Sequence, residues 1–255
     1  MNFDDLINIV AKLRSPEGCP WDKEQTRETL KPYLFEEFYE LIDAMEDNDP
    51  EGTREELGDL LFQIVLQSQL SKEDAQFDIN DVVDGIAQKM VRRHPHVFGD
   101  KDLKTSSDVS EWWAEHKRKE GKTDPSAIGG VPHALPALIR ASQIQLKATS
   151  VGFDWEKIED VIEKLDEEIA EFKNALVGKN NDDIEDEIGD ILFVLVRIAN
   201  FVNINPEDAL RRTIRKFIQR FNYIENEALQ QGKRLPEMTL EEMDVLWKKA
   251  KKNYR

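Results

Sequence analysis

The chain is expected to fold as an all-α protein built from two tandem copies of one helical unit. Three observations predict this. Apolar residues recur three and four apart along most of the 255 residues, as in NFDDLINIVAKL, LKPYLFEEFYELIDAM and REELGDLLFQIVLQSQL, which is the spacing of one helix face. Strand-like alternation is scarce. The acidic words EEFYE (36–40) and EELGDLLFQIV (55–65) return as EEIAE (167–171) and DEIGDILFVLV (186–196). The separation is constant: Glu36 and Glu167, Glu37 and Glu168, Glu40 and Glu171, Glu56 and Glu187, and Asp59 and Asp190 each stand 131 apart (167 − 36). Short acidic words arise by chance in a chain with 52 acids. Five acids sharing one gap and the same apolar flanks point instead to duplication.

Each element follows in order. A first helix covers NFDDLINIVAKL and ends at the Gly/Pro cluster SPEGCP (15–20). The next carries EEFYE, and the polar break from Asp47 to Pro50 turns the chain back into the helix of EELGDLLFQIV, so that the two run antiparallel. HPHVFGD (94–100) is a further break, and GKTDPSAIGGVPHALP (121–136) reads as a linker between an N-terminal domain, 1–120, and a C-terminal domain, 137–255. In the second half, helix starts are expected at Asp154 and at Asn205-Pro206.

Composition excludes several classes of function. With 40% hydrophobic residues a core can be built, and 52 acids against 35 bases give a net charge of −17. Such a surface repels phosphate backbones, so no nucleic-acid partner is expected. One cysteine, Cys19, forbids an internal disulfide framework. The longest apolar runs, such as ILFVLV (191–196), are far too short for a bilayer. With no basic and apolar leader at the N-terminus, no membrane partner and a cytoplasmic setting are expected.

The carboxylates carry the chemistry. A helix advances about 100° per residue, so Glu36, Glu37 and Glu40 fall on one arc, and Glu56 and Asp59 share a face of the following helix. Glu168, Glu171, Glu187 and Asp190 repeat the pattern. A lone EExxE reads best as a solvated face. Paired twice with ExxD on the next helix, and interleaved with core-type residues, it reads better as a carboxylate metal site between facing helices. Clustered carboxylates repel unless compensated, and oxygen-only ligands suit a hard divalent ion, Mg²⁺ or Mn²⁺. A di-iron site is disfavoured, because the chain holds no Glu-x-x-His.

Basic faces accompany the acids. KMVRR (89–93) and KFIQR (216–220) each place Lys and Arg four apart, and Trp113 with Lys117 parallels Trp247 with Lys251. Such faces can hold phosphate oxygens, and a ring can stack on a base; Trp112 and Trp113 are nevertheless expected to pack in the core. GKT (121–123) is not a phosphate loop, since His116 stands at the required glycine. His94 and His96 read as structural, and Cys19 as inert. Read from the residues alone, a metal-dependent enzyme acting on polyphosphate competes with a non-catalytic helical module that binds a nucleotide or a protein partner.

KLRSPEGCPWD, LKPYLFEEFYEL, EELGDLLFQIV, RRHPHVFGD, GGVPHALPAL and VGFDW, in that order, resemble segments of the MazG family of nucleoside triphosphate pyrophosphohydrolases over almost the whole chain. The resemblance implies four-helix-bundle-like all-α NTP pyrophosphatase domains completed by a homodimer. It implies Mg²⁺-dependent cleavage of NTPs, and of dNTPs, at the α-phosphorus to monophosphate and pyrophosphate; nucleotide-pool house-cleaning is a further reading that shares this chemistry but not the natural substrate. Glu168, Glu171, Glu187 and Asp190 match the family's metal ligands, and Lys164, Lys216, Arg220 and Trp247 its nucleotide contacts. Glu37, Glu40, Glu56 and Asp59 follow by repeat equivalence, with Arg92, Arg93 and Lys117 as candidate phosphate contacts. Glu36 or Glu167 would orient the attacking water. RRHPHVF in the first unit stands where the second has QRFNYIE, so equal use of substrates by the two units is not expected.

Overall fold

A computed structural model describes residues 1–109, 112–113 and 125–254. Lys117 and the GKT segment lie outside them. No strand occurs among the described residues, and no described helix is long and apolar enough to cross a membrane. The chain divides into two compact units, Met1–His116 and Lys117–Arg255.

Unit 1 opens with α1 (Phe3–Arg14), whose N-terminus is closed by a capping box: Asn2 accepts from the Asp5 amide and Asp5 accepts from the Asn2 amide. This satisfies two amides that a helix start leaves unpaired. After α2 (Pro20–Glu24) come the long helices α3 (Lys31–Glu46) and α4 (Pro50–Glu73), packed along each other. The turn between them is built as the polar break requires. Asn48 adopts φ 53°, Asp49 caps α4 by accepting from the Glu51 amide, and Pro50 takes the first helical position, where its missing N–H costs nothing. Then follow α5 (Ile79–Arg93), capped by Asp78, and α6 (Pro95–Phe98).

The core of unit 1 gathers Val10, Leu30, Val65, Leu66, Leu70 and Ile79. Val10, Leu30, Val65 and Leu66 are almost wholly buried, each such burial contributing about 1.5–3 kcal/mol. Arg14 ties the end of α1 to the end of α4, donating to Glu73 at 2.7 and 2.9 Å.

Unit 2 contains α7 (Ala137–Thr149), α8 (Ile158–Gly178), α9 (Asn181–Phe201), α10 (Pro206–Gln230), a 3-10 turn (Leu235–Glu237) and α11 (Leu240–Asn253). Helices α8 and α9 pack along each other as α3 and α4 do. The duplication extends to the backbone of the turn: Lys179, 131 residues after Asn48, adopts φ 56°, and Asn180 caps α9 as Asp49 caps α4. Ile224, Ala228, Met238 and Leu246 form a core cluster between α10 and α11, with Trp247 packed against it. Within the expected linker, Val131 is buried and the Gly129 carbonyl accepts from Lys147 Nζ at 2.6 Å.

The helix start at Asn205-Pro206 is found, with Asn205 accepting from the Glu207 and Asp208 amides. The start at Asp154 is not. Helix α8 begins at Ile158, and Asp154 is spent on Arg197, which donates to it through Nε at 2.9 Å and Nη2 at 2.5 and 2.6 Å. The cap position of α8 is Lys157, three residues after Asp154, and it makes no side-chain cap bond. Trp113 also departs from expectation. It is 42% exposed, its Nε1 donates to the Arg93 carbonyl at 2.8 Å, and its ring meets His94 edge-on.

Candidate active site

In unit 1, α3 supplies Glu37 and α4 supplies Glu56 and Asp59, each with one carboxylate oxygen within 4.8 Å of the others. In unit 2, α8 supplies Glu168 and Glu171 and α9 supplies Glu187, within the same limit. Six of the eight expected ligands are thus drawn into two trios. Glu40 and Asp190 lie outside them but act on them: Glu40 acts on Glu37 and Glu56, and Asp190 on Glu187. The two trios overlap in repeat terms and together cover the same four positions.

The antiparallel pairing makes this unavoidable. The short capped turn sets the two helices in register, and the spacing of the acids puts them on the facing sides. The cost is electrostatic. Burial, then the charges of Asp59, Glu40, Glu56 and Glu36, push the Glu37 carboxyl above the usual carboxylate range. Glu56 is raised by burial, then Glu40, Asp59 and Glu55. Glu187 is raised by burial, then Glu171, Glu168, Asp190 and Asp186. Its Oε2 is buried with no hydrogen-bond partner.

The second trio has a compensating cation. Lys164 Nζ lies 2.8 Å from Glu167 and 2.8 Å from Glu168, itself only 5% exposed. The hydrogen bonds to Glu167 and Glu168 hold the ammonium well above its ordinary range. At the equivalent position unit 1 has Tyr33, which packs edge-on against Trp21. Glu36 and Glu167 are both exposed, beside the trios rather than in them.

In unit 2 the Trp247 ring gathers Arg220 and Lys251. Arg220 donates to the Tyr254 carbonyl at 2.8 and 3.0 Å, and its guanidinium lies 5.7 Å from the Trp247 ring. Lys216 is half-buried one turn earlier on α10, and Lys251 Nζ lies 5.9 Å from Trp247. In unit 1, Arg92 and Arg93 occupy the last turn of α5, where positive charge complements the helix dipole. His94 Nδ1 lies 2.7 Å from the Met90 carbonyl.

The Asp154–Arg197 pair was not anticipated. One signal was available: Arg197 interrupts an apolar helix run at the position where unit 1 has the buried Leu66. A charged residue in such a run calls for a buried partner.

The MazG nucleotide pyrophosphohydrolase domain matches twice, at residues 25–98 and 156–224. A Thermotoga maritima protein named nucleoside triphosphate pyrophosphohydrolase/pyrophosphatase MazG is 44% identical over 249 residues, covering 98% of this chain and 95% of its own. An Escherichia coli nucleoside triphosphate pyrophosphohydrolase is 41% identical over 257 residues, covering 98% and 97%. The Bacillus subtilis protein YabN is 45% identical over 255 residues, which span 99% of this chain and 52% of that protein. With both acidic helix pairs inside the matched segments and the likeness running end to end, the chain is a two-repeat member of the MazG nucleotide pyrophosphohydrolase family.

Proposed function

We propose that the chain is a divalent-metal-dependent nucleoside triphosphate pyrophosphohydrolase that cuts NTPs and dNTPs between the α- and β-phosphates. The observation that carries this reading is the pair of carboxylate trios, one on each antiparallel helix pair, in a chain of this family. The donors fit a hard cation such as Mg²⁺ or Mn²⁺. They are all oxygens and mutually repelling, Glu37, Glu56, Glu168 and Glu187 are at least partly buried, and the unpartnered Oε2 belongs to Glu187. Such an ion, when bound, would neutralise triphosphate charge and acidify water.

In this reading Glu37, Glu40, Glu56 and Asp59 hold the cation in unit 1, and Glu168, Glu171, Glu187 and Asp190 in unit 2. Glu36 or Glu167 accepts the proton of the water attacking the α-phosphorus. The P–O bond to the bridging oxygen breaks, and pyrophosphate leaves. In unit 2, Lys216 and Arg220 bind phosphate oxygens as the charge moves onto the leaving group, Trp247 flanks the nucleoside, and Lys164 steadies the substrate while positioning Glu167. Arg92, Arg93 and Lys117 do the corresponding work in unit 1. The domains are 1–120 and 137–255, joined by 121–136, and the role is to clear surplus or damaged nucleotides from a reducing cytoplasm, in keeping with the lone Cys19.

The test is product analysis in ¹⁸O-water with Mg²⁺ and a panel of NTPs and dNTPs. Equal amounts of monophosphate and pyrophosphate are expected, with the label in the monophosphate. Diphosphate and inorganic phosphate as products, or nucleotide binding without turnover, would reject the reading. EDTA should abolish turnover, and saturating Mg²⁺ at about 100 times its Kd should stabilise each unit by about 2.7 kcal/mol, read as a rise in Tm. The rise should be larger at pH 7.5 than at pH 5, where protons compete for the raised carboxyls of Glu37, Glu56 and Glu187.

We also propose a homodimer. Leu57, Leu61 and Ile64 form an exposed apolar stripe on α4, and Ile188, Leu192 and Leu195 repeat it on α9. Within these stripes a Cβ added at Gly58 or Gly189 would meet nothing within 4 Å. Among the described residues nothing requires glycine there, although glycine costs a helix about 1 kcal/mol relative to alanine. Close approach of a partner helix supplies the requirement. Sedimentation should give a dimer for the unaltered chain and a monomer for a Leu61→Asp, Leu192→Asp double variant. A monomeric unaltered chain would rule the dimer out.

A further inference from the structure

Lys164 stands one helical turn before Glu168 on α8, its Nζ 2.8 Å from that carboxylate and 2.8 Å from Glu167. Glu168 is the most deeply buried member of the unit 2 trio. The ammonium therefore meets a carboxylate that water scarcely reaches, and their attraction is little screened. A positive charge already sits against Glu168, Glu171 and Glu187 before any ion arrives.

Unit 1 keeps the acids and drops the cation. At 131 residues earlier, Glu37, Glu40, Glu56 and Asp59 repeat Glu168, Glu171, Glu187 and Asp190, but Tyr33 takes the place of Lys164. A phenol carries no positive charge, and the Tyr33 ring packs edge-on against Trp21, 5.6 Å away. Lys31 of α3 and Arg54 of α4 pair with Glu28 and Glu51, at 2.5 and 2.6 Å. Among the described residues no lysine or arginine forms an ion pair with Glu37, Glu40, Glu56 or Asp59.

We infer that Lys164 is the resident counter-cation of unit 2, and that it sets the two units to different divalent-ion concentrations, unit 1 filling before unit 2. The inference rests on the reading of the trios as cation sites. Carboxylate sites tune their affinity by the charge that their ligands carry. To bind an ion in unit 2, Glu168 must either release the lysine or coordinate the ion beside it. The first course gives up an ion pair, and the second sets two like charges against each other. In unit 1 neither cost arises. The same four acidic positions thus serve two sites that differ in how much free cation they need.

The test counts bound Mn²⁺ on the full chain at pH 7.5, without nucleotide, from the loss of the free ion's electron paramagnetic resonance signal. Two classes of site are expected, about tenfold apart in Kd, the tighter removed by Glu56→Gln and the weaker by Glu187→Gln. Lys164→Met should tighten the unit 2 class about tenfold, whereas Lys164→Arg, which keeps the charge, should leave it weak. Tyr33→Lys, which leaves Glu168 and its surroundings untouched, should weaken the unit 1 class. In EDTA, Lys164→Met should melt below the unaltered chain, because it strands the buried Glu168. A purely structural lysine would give that fall in Tm with no gain in Mn²⁺ affinity. A unit 2 class as tight as that of unit 1 in the unaltered chain, or unchanged affinity in Lys164→Met or in Tyr33→Lys, would overturn the inference. Mn²⁺ binding that is absent, or that neither Glu56→Gln nor Glu187→Gln alters, would instead overturn the trio reading, and the inference with it.

Discussion

Glu187→Gln is expected to abolish pyrophosphate release by unit 2, and Glu56→Gln that by unit 1, so that the double variant turns over at least about 100-fold more slowly than the unaltered chain. The bound is conservative, because losing even an outer partner of a metal ligand typically costs about 10–100-fold. Each substitution keeps the side chain's shape and removes one charge from a crowded trio. The metal-free protein should therefore gain stability as it loses activity. The carboxyls of Glu56 and Glu187 lie above the usual range in the folded protein. A raised carboxyl favours folding fully below the unfolded-state value and loses that contribution as the pH climbs through the folded-state value. The Tm advantage of each glutamine variant in EDTA should thus be present at pH 7.5 and fade toward pH 4.5. Pyrophosphate assays on both single variants and the double, with Tm against pH, check the two halves. Full turnover in the double variant would remove these residues from the site.

The largest effect on stability is expected at Asp154. Its partner Arg197 has a side chain 8% exposed, Asp154 itself is 24% exposed, and the guanidinium also lies 5.1 Å from the Phe201 ring. Removing one member of such a pair strands a buried charge, which costs about 3–5 kcal/mol. For a chain of this size that lowers Tm by roughly 6–20 °C. Asp154→Ala should show this loss in calorimetry. Replacing both members with apolar residues, Asp154→Leu with Arg197→Met, should recover most of it, since a well-packed apolar pair avoids the desolvation penalty. If Asp154→Ala melts with the unaltered chain, the pair does not hold the segment before α8 onto α9.

Asp154 looked like a helix cap, because Asp before an apolar-periodic segment usually is one. The same carboxylate can bond to a guanidinium 43 residues away, and nothing local reveals which partner prevails. Trp113 failed for a related reason. Its place is set by the Arg93 carbonyl and His94, both on a different segment.

The all-α class, the duplication, the antiparallel helix pairs and the gathering of acids at Glu37, Glu56 and Asp59 and at Glu168, Glu171 and Glu187 were determined by the sequence alone, because they depend on periodicity and on short capped turns. The compensation of Glu168 by Lys164 lies one helical turn away and was equally within reach. Only the tertiary structure decided which carboxylates are buried and raised, that Glu187 Oε2 and Gln63 Oε1 lack partners, and that Arg197 claims Asp154. Burial and partner choice are properties of surfaces brought together from distant segments, and a linear pattern records only the faces that can meet.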